Sequence, residues 1–140
     1  MPLFRRKIRT EFPENPEIPT TPTNYPYGLC IKTEAGYFLI RANSRFRIMS
    51  ERAVESWNFN RIIPSSEAAV KHIKITSKVG FRDGTIINDM ATGKHYLISK
   101  NLKRHITSPD VFEKYGLNWE DVLLVSSQEV AYHEDGEVLN

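Results

Sequence analysis

The sequence of 140 residues contains a single cysteine and no long apolar segment. One cysteine excludes an internal disulfide framework and a zinc site built from cysteines alone. No apolar run approaches the roughly 20 residues that a membrane-spanning helix requires, so we expect no membrane span. Cys30 lies between Leu29 and Ile31, and this apolar setting is typical of a small buried side chain rather than a nucleophile.

A strong excess of charge of either sign is also missing. The 19 Lys and Arg residues face 17 Asp and Glu residues, and the formal net charge is +2. Dedicated nucleic-acid binders usually carry a strong basic field. The one dense basic cluster, Arg5 to Arg9, is followed at once by glutamates. We therefore do not expect a nucleic-acid partner, and the cluster suits either an acidic protein surface or solubility alone.

Residue patterns that support catalysis or metal binding are not evident. The four histidines, His72, His95, His105 and His133, lack the paired spacing of a zinc motif. His95 and His105 fall on adjacent predicted strands and are expected to approach one another, without a third ligand. Glycine-rich phosphate loops are missing, and no base can be assigned beside Cys30. We therefore expect no metal, no cofactor and no enzymatic activity.

Proline is concentrated at the N-terminal end, where six of the eight prolines precede residue 27. Each proline fixes its own φ and disfavours the helical region for the preceding residue, so Phe12 to Pro26 should be extended. Residues 1–27 are interpreted as an extended arm, either a disordered leader or a segment that lies in a groove of a partner. Its apolar and basic side chains favour the second interpretation. The candidate partner-binding residues are Leu3, Phe4, Arg5, Arg6, Lys7, Ile8, Arg9 and Phe12.

After the arm, the sequence repeats itself at an offset of about 58 residues. The alignment predicts two related units, residues 28–80 and 81–140. Each unit has only about 50 residues, a size at which a separate core is marginal, so the two should pack together. The identities include Leu39 with Leu97, Ile40 with Ile98, Asn43 with Asn101 and Ile48 with Ile106, and Ser65-Ser66-Glu67 aligns with Ser126-Ser127-Gln128.

An α+β fold is expected, with about three strands and two short helices in each unit. Apolar and β-branched runs indicate the strands, and Asn43 and Asn101 mark hairpin turns because asparagine tolerates positive φ. The residues Ile73 to Val79 should form a strand that joins the units, Val122 to Val125 a buried strand or extended link, and Glu134 to Asn140 a frayed end. The predicted strands are Leu29–Lys32, Tyr37–Arg41, Arg45–Ile48, Thr85–Ile87, His95–Ser99 and Lys103–Ile106.

Helix signals follow the third strand of each unit. Ser50 and Ser108 are predicted N-caps, because a hydroxyl at this position can accept a hydrogen bond from a free backbone N–H. The first helices should span Glu51 to Trp57 and Pro109 to Tyr115, and Gly116 should end the second of these. A second, shorter helix should begin at the Ser-Ser pair of each unit.

The second unit carries a series of short motifs within residues 84–132. They are Tyr96-Leu97-Ile98, Lys103-Arg104-His105-Ile106, Ser108-Pro109, Gly116, Trp119, Val122 and Val125-Ser126 with Glu129. This pattern resembles a repeat of about 50 residues that occurs in bacterial cell-surface and wall-associated proteins and in bacteriophage tail or virion proteins. The resemblance implies a non-catalytic module of attachment or assembly. The first unit departs from the pattern, since it lacks counterparts of Pro109, Gly116 and Trp119.

A structural adaptor of a bacteriophage virion, in the tail or at the head–tail joint, is the function we expect. Its partners would be other virion proteins, and its copies would form a symmetric oligomer in which weak contacts act together. The basic N-terminus lacks a following apolar segment, so no secretion signal is expected, which suits assembly in the host cytoplasm. The alternative is a cell-wall or receptor carbohydrate-binding module that stacks its ligand on Trp57, Tyr96, Tyr115 or Trp119, although these aromatic residues also suit core packing.

Overall fold

The computed structural model describes residues 17–140. Within this range the chain forms two five-stranded sheets and four short α-helices. The predicted fold class, α+β with two related units packed together, is therefore confirmed. We refer to residues 28–80 and 81–140 as the first and second repeat.

The first sheet is built on three consecutive antiparallel strands. A parallel strand is added at each edge, so that the spatial order is β4-β1-β2-β3-β5. The elements are β1 (Cys30–Thr33), β2 (Gly36–Arg41), β3 (Ser44–Ile48), α1 (Glu51–Trp57), β4 (Ile62–Pro64), α2 (Glu67–Val70) and β5 (Lys74–Val79).

The second sheet has the same topology. Its three consecutive antiparallel strands are again flanked by parallel edge strands, in the order β9-β6-β7-β8-β10. The elements are β6 (Ile86–Asp89), β7 (His95–Ser99), β8 (Leu102–Ile106), α3 (Asp110–Tyr115), a 3₁₀ turn (Trp119–Asp121), β9 (Val122–Val125), α4 (Ser127–Val130) and β10 (Glu134–Asp135).

The prediction of three strands per unit is wrong, because two edge strands join each sheet. The predicted joining strand exists, but it is β5 and belongs to the first sheet, parallel to β3. The residues from Glu134 onward are not frayed: they contain β10, and Leu139 is 4% exposed and forms a bridge with Ile106. Short acidic or proline-containing stretches have little strand propensity, so pairing with the preformed hairpin determines their conformation.

The duplication extends to individual contacts. In the first repeat the Trp57 indole Nε1 donates a hydrogen bond to the Gly80 carbonyl, and in the second the Tyr115 hydroxyl donates to the Asn140 carbonyl, both at 3.0 Å. The strand registers agree as well, since Tyr37 pairs with Ile48 as His95 pairs with Ile106. The predicted offset of 58 is thus confirmed for the hairpins.

The predicted alignment of the second helices is wrong by one residue. Ser66 caps α2 and Ser126 caps α4, each by accepting a bond from the N–H three residues later (3.1 and 3.2 Å). Ser65, not Ser66, was paired with Ser126 in the sequence alignment. With two adjacent serines in each repeat, local sequence cannot distinguish the cap from its neighbour, and the offset from here onward is 60 rather than 61.

The first helices follow the prediction except at one cap. Ser50 caps α1 as expected, and Gly116 ends α3 with a φ of 69°. Ser108 does not cap α3, which begins at Asp110 without a side-chain cap. Asn58, with a φ of 49°, ends α1 in the first repeat. It therefore replaces the glycine of the second repeat, because asparagine tolerates the left-handed region better than most residues.

The two hairpin turns differ in detail. Lys100 and Asn101 both have positive φ, at 52° and 65°, as a tight two-residue turn requires. In the first repeat Ala42 has positive φ instead of Asn43. Both asparagines lie in the predicted hairpin turns, but only Asn101 has the positive φ expected of it.

Each sheet has an apolar surface on both sides, which we call face A and face B. Alternation along a strand sends successive side chains to opposite faces. Face A is covered by the longer helix of the repeat and face B by the shorter one. Face A carries Cys30, Leu39 and Ile48 with α1 in the first repeat, and Ile86, Ile106 and Phe112 in the second. Face B carries Ile31, Phe38 and Ile40 with α2 in the first repeat, and Ile87, Ile98 and Val125 with α4 in the second.

The repeats pack head to tail. Face A of the first repeat and face B of the second repeat form one shared core. Face B of the first repeat and face A of the second each have a separate core at opposite ends of the molecule. The contact between the repeats is thus heterologous, since it joins two different surfaces of the same unit.

A buried histidine, His133, holds together the C-terminal part and the first residue of the second repeat. His133 is 2% exposed, and its Nε2 accepts a hydrogen bond from the Phe81 N–H at 3.0 Å. Its Nδ1 lies 2.8 Å from the Asn101 carbonyl oxygen, to which it donates in the neutral form. Burial lowers the pKa of His133. Protonation at Nε2 would remove the acceptor for the Phe81 N–H, which lies beside the shared core.

We expect the folded protein to lose stability as the pH falls below about 6.5, the usual histidine pKa. The pKa of His133 is lowered in the folded state, so the unfolded chain takes up the proton first and acid favours unfolding. His95, whose pKa burial also lowers, contributes in the same direction. Urea unfolding at pH 7.5 and pH 5.5 measures the effect. The variant His133→Ile, which places the residue of the equivalent position 73, should reduce the pH dependence, and the exposed control His72→Gln should not; an unchanged dependence in His133→Ile would contradict the assignment.

Candidate docking surfaces

The described part of the predicted arm, residues 17–27, lies along the first repeat. The Thr23 N–H donates to the Ala69 carbonyl at 2.9 Å, and the Ser66 hydroxyl donates to the Pro19 carbonyl at 2.5 Å. Tyr25 packs against the core of face B. This segment contains no helix or strand, and it is fixed on its own protein. Only the residues before 17 remain candidates for an arm that binds a partner.

Residues 24–28 join the first repeat in the way that residues 80–84 join the second. Gly28 and Gly84 have φ values of 93° and 94°. Their N–H groups donate to equivalent strand carbonyls at 2.9 and 2.7 Å. Three residues earlier, Tyr25 and Phe81 pack into the core of face B of the first and second repeat. The described part of the arm is thus the counterpart of the connection between the repeats.

The candidate arm residues lie outside the described residues. These are Leu3, Phe4, Arg5, Arg6, Lys7, Ile8, Arg9 and Phe12. Beside the first described residues is a cleft of about 380 Å³. Its apolar side chains include Ile18, which is 55% exposed, Ile62 and Pro64. An exposed apolar cleft at this position is a surface on which another chain could bury apolar side chains.

The four candidate stacking aromatics do not form one site. Trp57 is half-buried against the shared core and stacks on Phe59, with ring centroids 6.2 Å apart. Tyr96 lies on face B of the second repeat, packs against the same core and has the His105 ring 5.6 Å away. Trp57 and Tyr96 therefore have structural roles, and the structure brings neither of them to Trp119.

Trp119 and Tyr115 are the exposed members of the set, at 51% and 49%. The Trp119 ring stacks on Phe112 with centroids 3.6 Å apart and planes 4° from parallel. The His95 ring meets Trp119 edge-on at 5.4 Å. Trp119 is thus held on a rigid support at the end of the molecule formed by face A of the second repeat. Phe112 and His95 were not singled out as parts of this site, because only the folded chain places them under Trp119.

A cleft of about 280 Å³ adjoins the Trp119 ring. Lys94, Thr107 and Ser108 line it together with His95. Burial lowers the pKa of His95, so its ring is neutral at neutral pH. A supported aromatic ring beside hydroxyl and ammonium groups can stack on an apolar ligand face and hydrogen-bond to the rim of the same ligand.

The histidines do not assemble a metal site in the described part of the chain. His95 pairs with Ile106 and His105 with Tyr96, so the two rings lie on opposite faces of the sheet. The expectation that His95 and His105 approach one another is wrong. Among residues 17–140, no group of three or more His, Cys, Asp or Glu side chains is arranged to hold a metal ion.

Cys30 is a buried side chain in the shared core, as predicted. Burial raises the pKa of its thiol to about 11. The thiolate, which is the nucleophilic form, is therefore scarce at neutral pH. This environment suits packing and opposes nucleophilic chemistry.

A polar cleft of about 420 Å³ lies where the repeats meet. Its charged side chains are Glu55 from α1, Arg82 and Asp83 from the connection, and Asp121 from the 3₁₀ turn. Sequence analysis did not predict this cleft, because its residues come from three separate segments. Asp83 and Asp121 each occur in short acidic or turn-forming stretches that are also typical of solvated loops.

Among residues 17–140, no helix combines the length and the apolar character needed to cross a membrane. Comparison of the chain with protein-family models, with curated proteins and with solved structures finds no match.

Proposed function

We propose that this chain is a non-enzymatic structural adaptor of a bacteriophage virion, in the tail or at the head–tail joint. It binds neighbouring virion proteins through the N-terminal arm and the outer surfaces of its repeats, and several copies form a symmetric assembly. The observation that carries this proposal is the head-to-tail packing of the repeats. That packing leaves two unlike ends on one small molecule, as an adaptor between two different neighbours needs.

The two ends offer different contact chemistry. Beside the edge strand β4 of the first repeat, the first described residues border the apolar cleft at Ile18 and Ile62. The opposite end presents Trp119 and Tyr115. Aromatic side chains contribute large contact areas at interfaces. Contacts of moderate strength suffice in a symmetric particle, because many copies act together.

The arm supplies further apolar anchors. Leu3, Phe4 and Phe12 are large apolar residues spaced along a proline-rich and basic segment. An extended segment of this kind can bind a groove or a sheet edge through its backbone and place alternate side chains in pockets. The resemblance of the second repeat to repeats of virion and wall-associated proteins points to the same role.

Particles assembled with an arm variant should lose this chain. We expect the chain in purified virions of the phage that encodes it, and the triple change Leu3→Ser, Phe4→Ser and Phe12→Ser should reduce its amount at least about tenfold, since three buried apolar anchors contribute more than 1.4 kcal/mol. Quantitative mass spectrometry of the particles measures the amount per particle. The matched control Glu14→Gln, in the same segment, should be incorporated normally. Normal incorporation of the triple variant would contradict docking through the arm, and absence of the chain from virions would contradict the adaptor role.

A second candidate function is carbohydrate binding, and the supported ring of Trp119 is the observation that favours it. A glycan array and a pull-down with bacterial cell walls separate the two functions. Specific binding that persists without residues 1–16 and disappears in Trp119→Ala would establish the carbohydrate-binding function in place of the arm-centred one. Trp57→Phe serves as the control, because Trp57 lies in the shared core.

A further inference from the structure

The interface between the repeats is formed at the start of α1. The Ser50 hydroxyl donates to the Glu129 carboxylate at 2.8 Å, and the Arg52 guanidinium lies 3.8 Å from the same carboxylate. Arg52 also donates to the Leu124 carbonyl, and the Tyr132 hydroxyl donates to the Met49 carbonyl. The N-terminal end of α1 therefore sits on the end of β9 and the beginning of α4.

The corresponding place on the first repeat is occupied by the chain's own N-terminal segment. Ala69 is the counterpart of Glu129, and Ser66 is the counterpart of Ser126. Residues 19–23 bond to both of them, through the Pro19 carbonyl and the Thr23 N–H. This segment contacts α2 at the place that corresponds to the contact of α1 with α4 in the internal interface. It covers the surface that, in the second repeat, receives face A of a neighbouring unit.

The opposite end of the molecule presents the counterpart of α1 without a partner in this chain. The start of α3 carries Asp110 at the position equivalent to Arg52, and Asp110 is exposed. Tyr115 and Trp119 are exposed beside it. On the first repeat, the exposed Lys71 directly follows α2. One end thus presents exposed aromatic side chains and the negative charge of Asp110, and the other presents the positive charge of Lys71.

We propose that these two ends bind one another between copies of this chain. Face A of the second repeat in one copy contacts face B of the first repeat in the next copy, in the geometry of the internal interface. Residues 19–23 act as an end cap that competes with the incoming copy. The partner at each end is a second copy of this chain, because the internal interface already joins a face A to a face B. A heterologous contact of this type builds rings or open arrays. The inference rests on the symmetric assembly of the proposed function and deepens it by naming the two surfaces through which copies meet.

Cysteine cross-linking in the full chain tests the geometry. In the internal interface Arg52 meets Leu124, and the equivalent pair between copies is Asp110 and Pro64, both exposed. We would mix a Pro64→Cys chain with a differently tagged Asp110→Cys chain and add a short bis-maleimide. The internal pair Arg52→Cys with Leu124→Cys, in one chain, is the matched control for folding and reactivity. Cys30 should not react, because it is buried and has a raised pKa.

The expected product is a cross-linked dimer that contains one chain of each kind. Each variant alone should give no dimer, because a head-to-tail contact brings different residues together. Adding Thr23→Pro to the Pro64→Cys chain removes the donor to the Ala69 carbonyl and should raise the dimer yield about fivefold, the change expected for one hydrogen bond. Absence of the mixed dimer in both backgrounds, while the internal pair cross-links, would overturn the proposal. A mixed dimer whose yield is unchanged by Thr23→Pro would overturn the assignment of residues 19–23 as a cap.

Discussion

Replacing Leu39 by alanine should destabilise both repeats together, by about 3 kcal/mol. Leu39 is 2% exposed, lies on face A of the first repeat and belongs to the shared core. Truncation removes apolar contacts and leaves a cavity that the surrounding side chains fill only in part. The same core contains residues of the second repeat such as Ile98 and Val125. The cost of the cavity is therefore shared by both repeats rather than confined to the first.

The two tryptophans report the unfolding of each repeat separately. Trp57 lies in the first repeat and Trp119 in the second. In chains that keep only one of them, through Trp119→Phe or Trp57→Phe, Leu39→Ala should shift the urea unfolding midpoint by the same amount, each chain being compared with its own single-tryptophan parent. Leu102→Ala, at a side chain that is 37% exposed, is the control and should shift it by less than about 1 kcal/mol. Unequal shifts would show that the repeats do not share one core.

Replacing Arg45 by alanine should cost about 3 kcal/mol. The Arg45 side chain is 4% exposed and makes two hydrogen bonds to the Glu67 carboxylate, at 2.7 and 2.9 Å. Its Nε also donates to the Ile73 carbonyl at 2.8 Å. Alanine leaves both acceptors without their donor, and an unpaired buried polar group costs more than its bond contributes. Glu67 keeps 31% of its side-chain exposure, so water offsets part of the loss.

The second repeat provides the matched control for this change. Lys103 stands at the position equivalent to Arg45, and its ammonium donates to the His133 carbonyl at 2.6 Å. Arg45→Lys should therefore retain the bond to the Ile73 carbonyl and cost about half as much as Arg45→Ala. Urea unfolding of the three chains gives the comparison. An equal loss in Arg45→Lys and Arg45→Ala would show that the paired guanidinium geometry, and not the carbonyl bond, dominates.

Acid sensitivity provides an independent readout of the same pair. The hydrogen bonds from Arg45 lower the pKa of Glu67. A carboxylate whose pKa is lowered by folding stabilises the protein above its unfolded pKa of about 4.3, and this stabilisation is lost as the pH falls. In Arg45→Ala the loss of stability between pH 5 and pH 3 should be smaller than in the parent chain.

Local sequence signals predicted the hairpins and α1 closely. The bounds of α1 and β7 agree with the prediction at both ends, because Ser50 supplies an N-cap and the residues of β7 form an apolar run. The parallel edge strands could not be predicted in the same way. β4 and β10 are short, and they become strands only by pairing with segments that are distant in the sequence.

The arrangement of the repeats and the candidate surfaces was harder to read from the sequence. Leu39 and Ile40 are both apolar but point to opposite faces, so the pattern does not show which face meets the other repeat. The sequence indicates Trp119 as a candidate, but only the fold places its ring on Phe112. The contact of residues 17–27 with Ala69 depends on a backbone carbonyl, which no sequence pattern reveals.

The junction at Gly80 has a consequence for how the length of this molecule can change. The first repeat closes at Gly80, and the second begins at Phe81 without an intervening linker. A β-carbon at position 80 would lie 2.6 Å from the His133 ring, so the close packing at this junction requires glycine. Insertion of one more complete unit between Gly80 and Phe81 would reproduce the same joint on both sides. The fold can therefore be lengthened by whole repeat units, in evolution or by design.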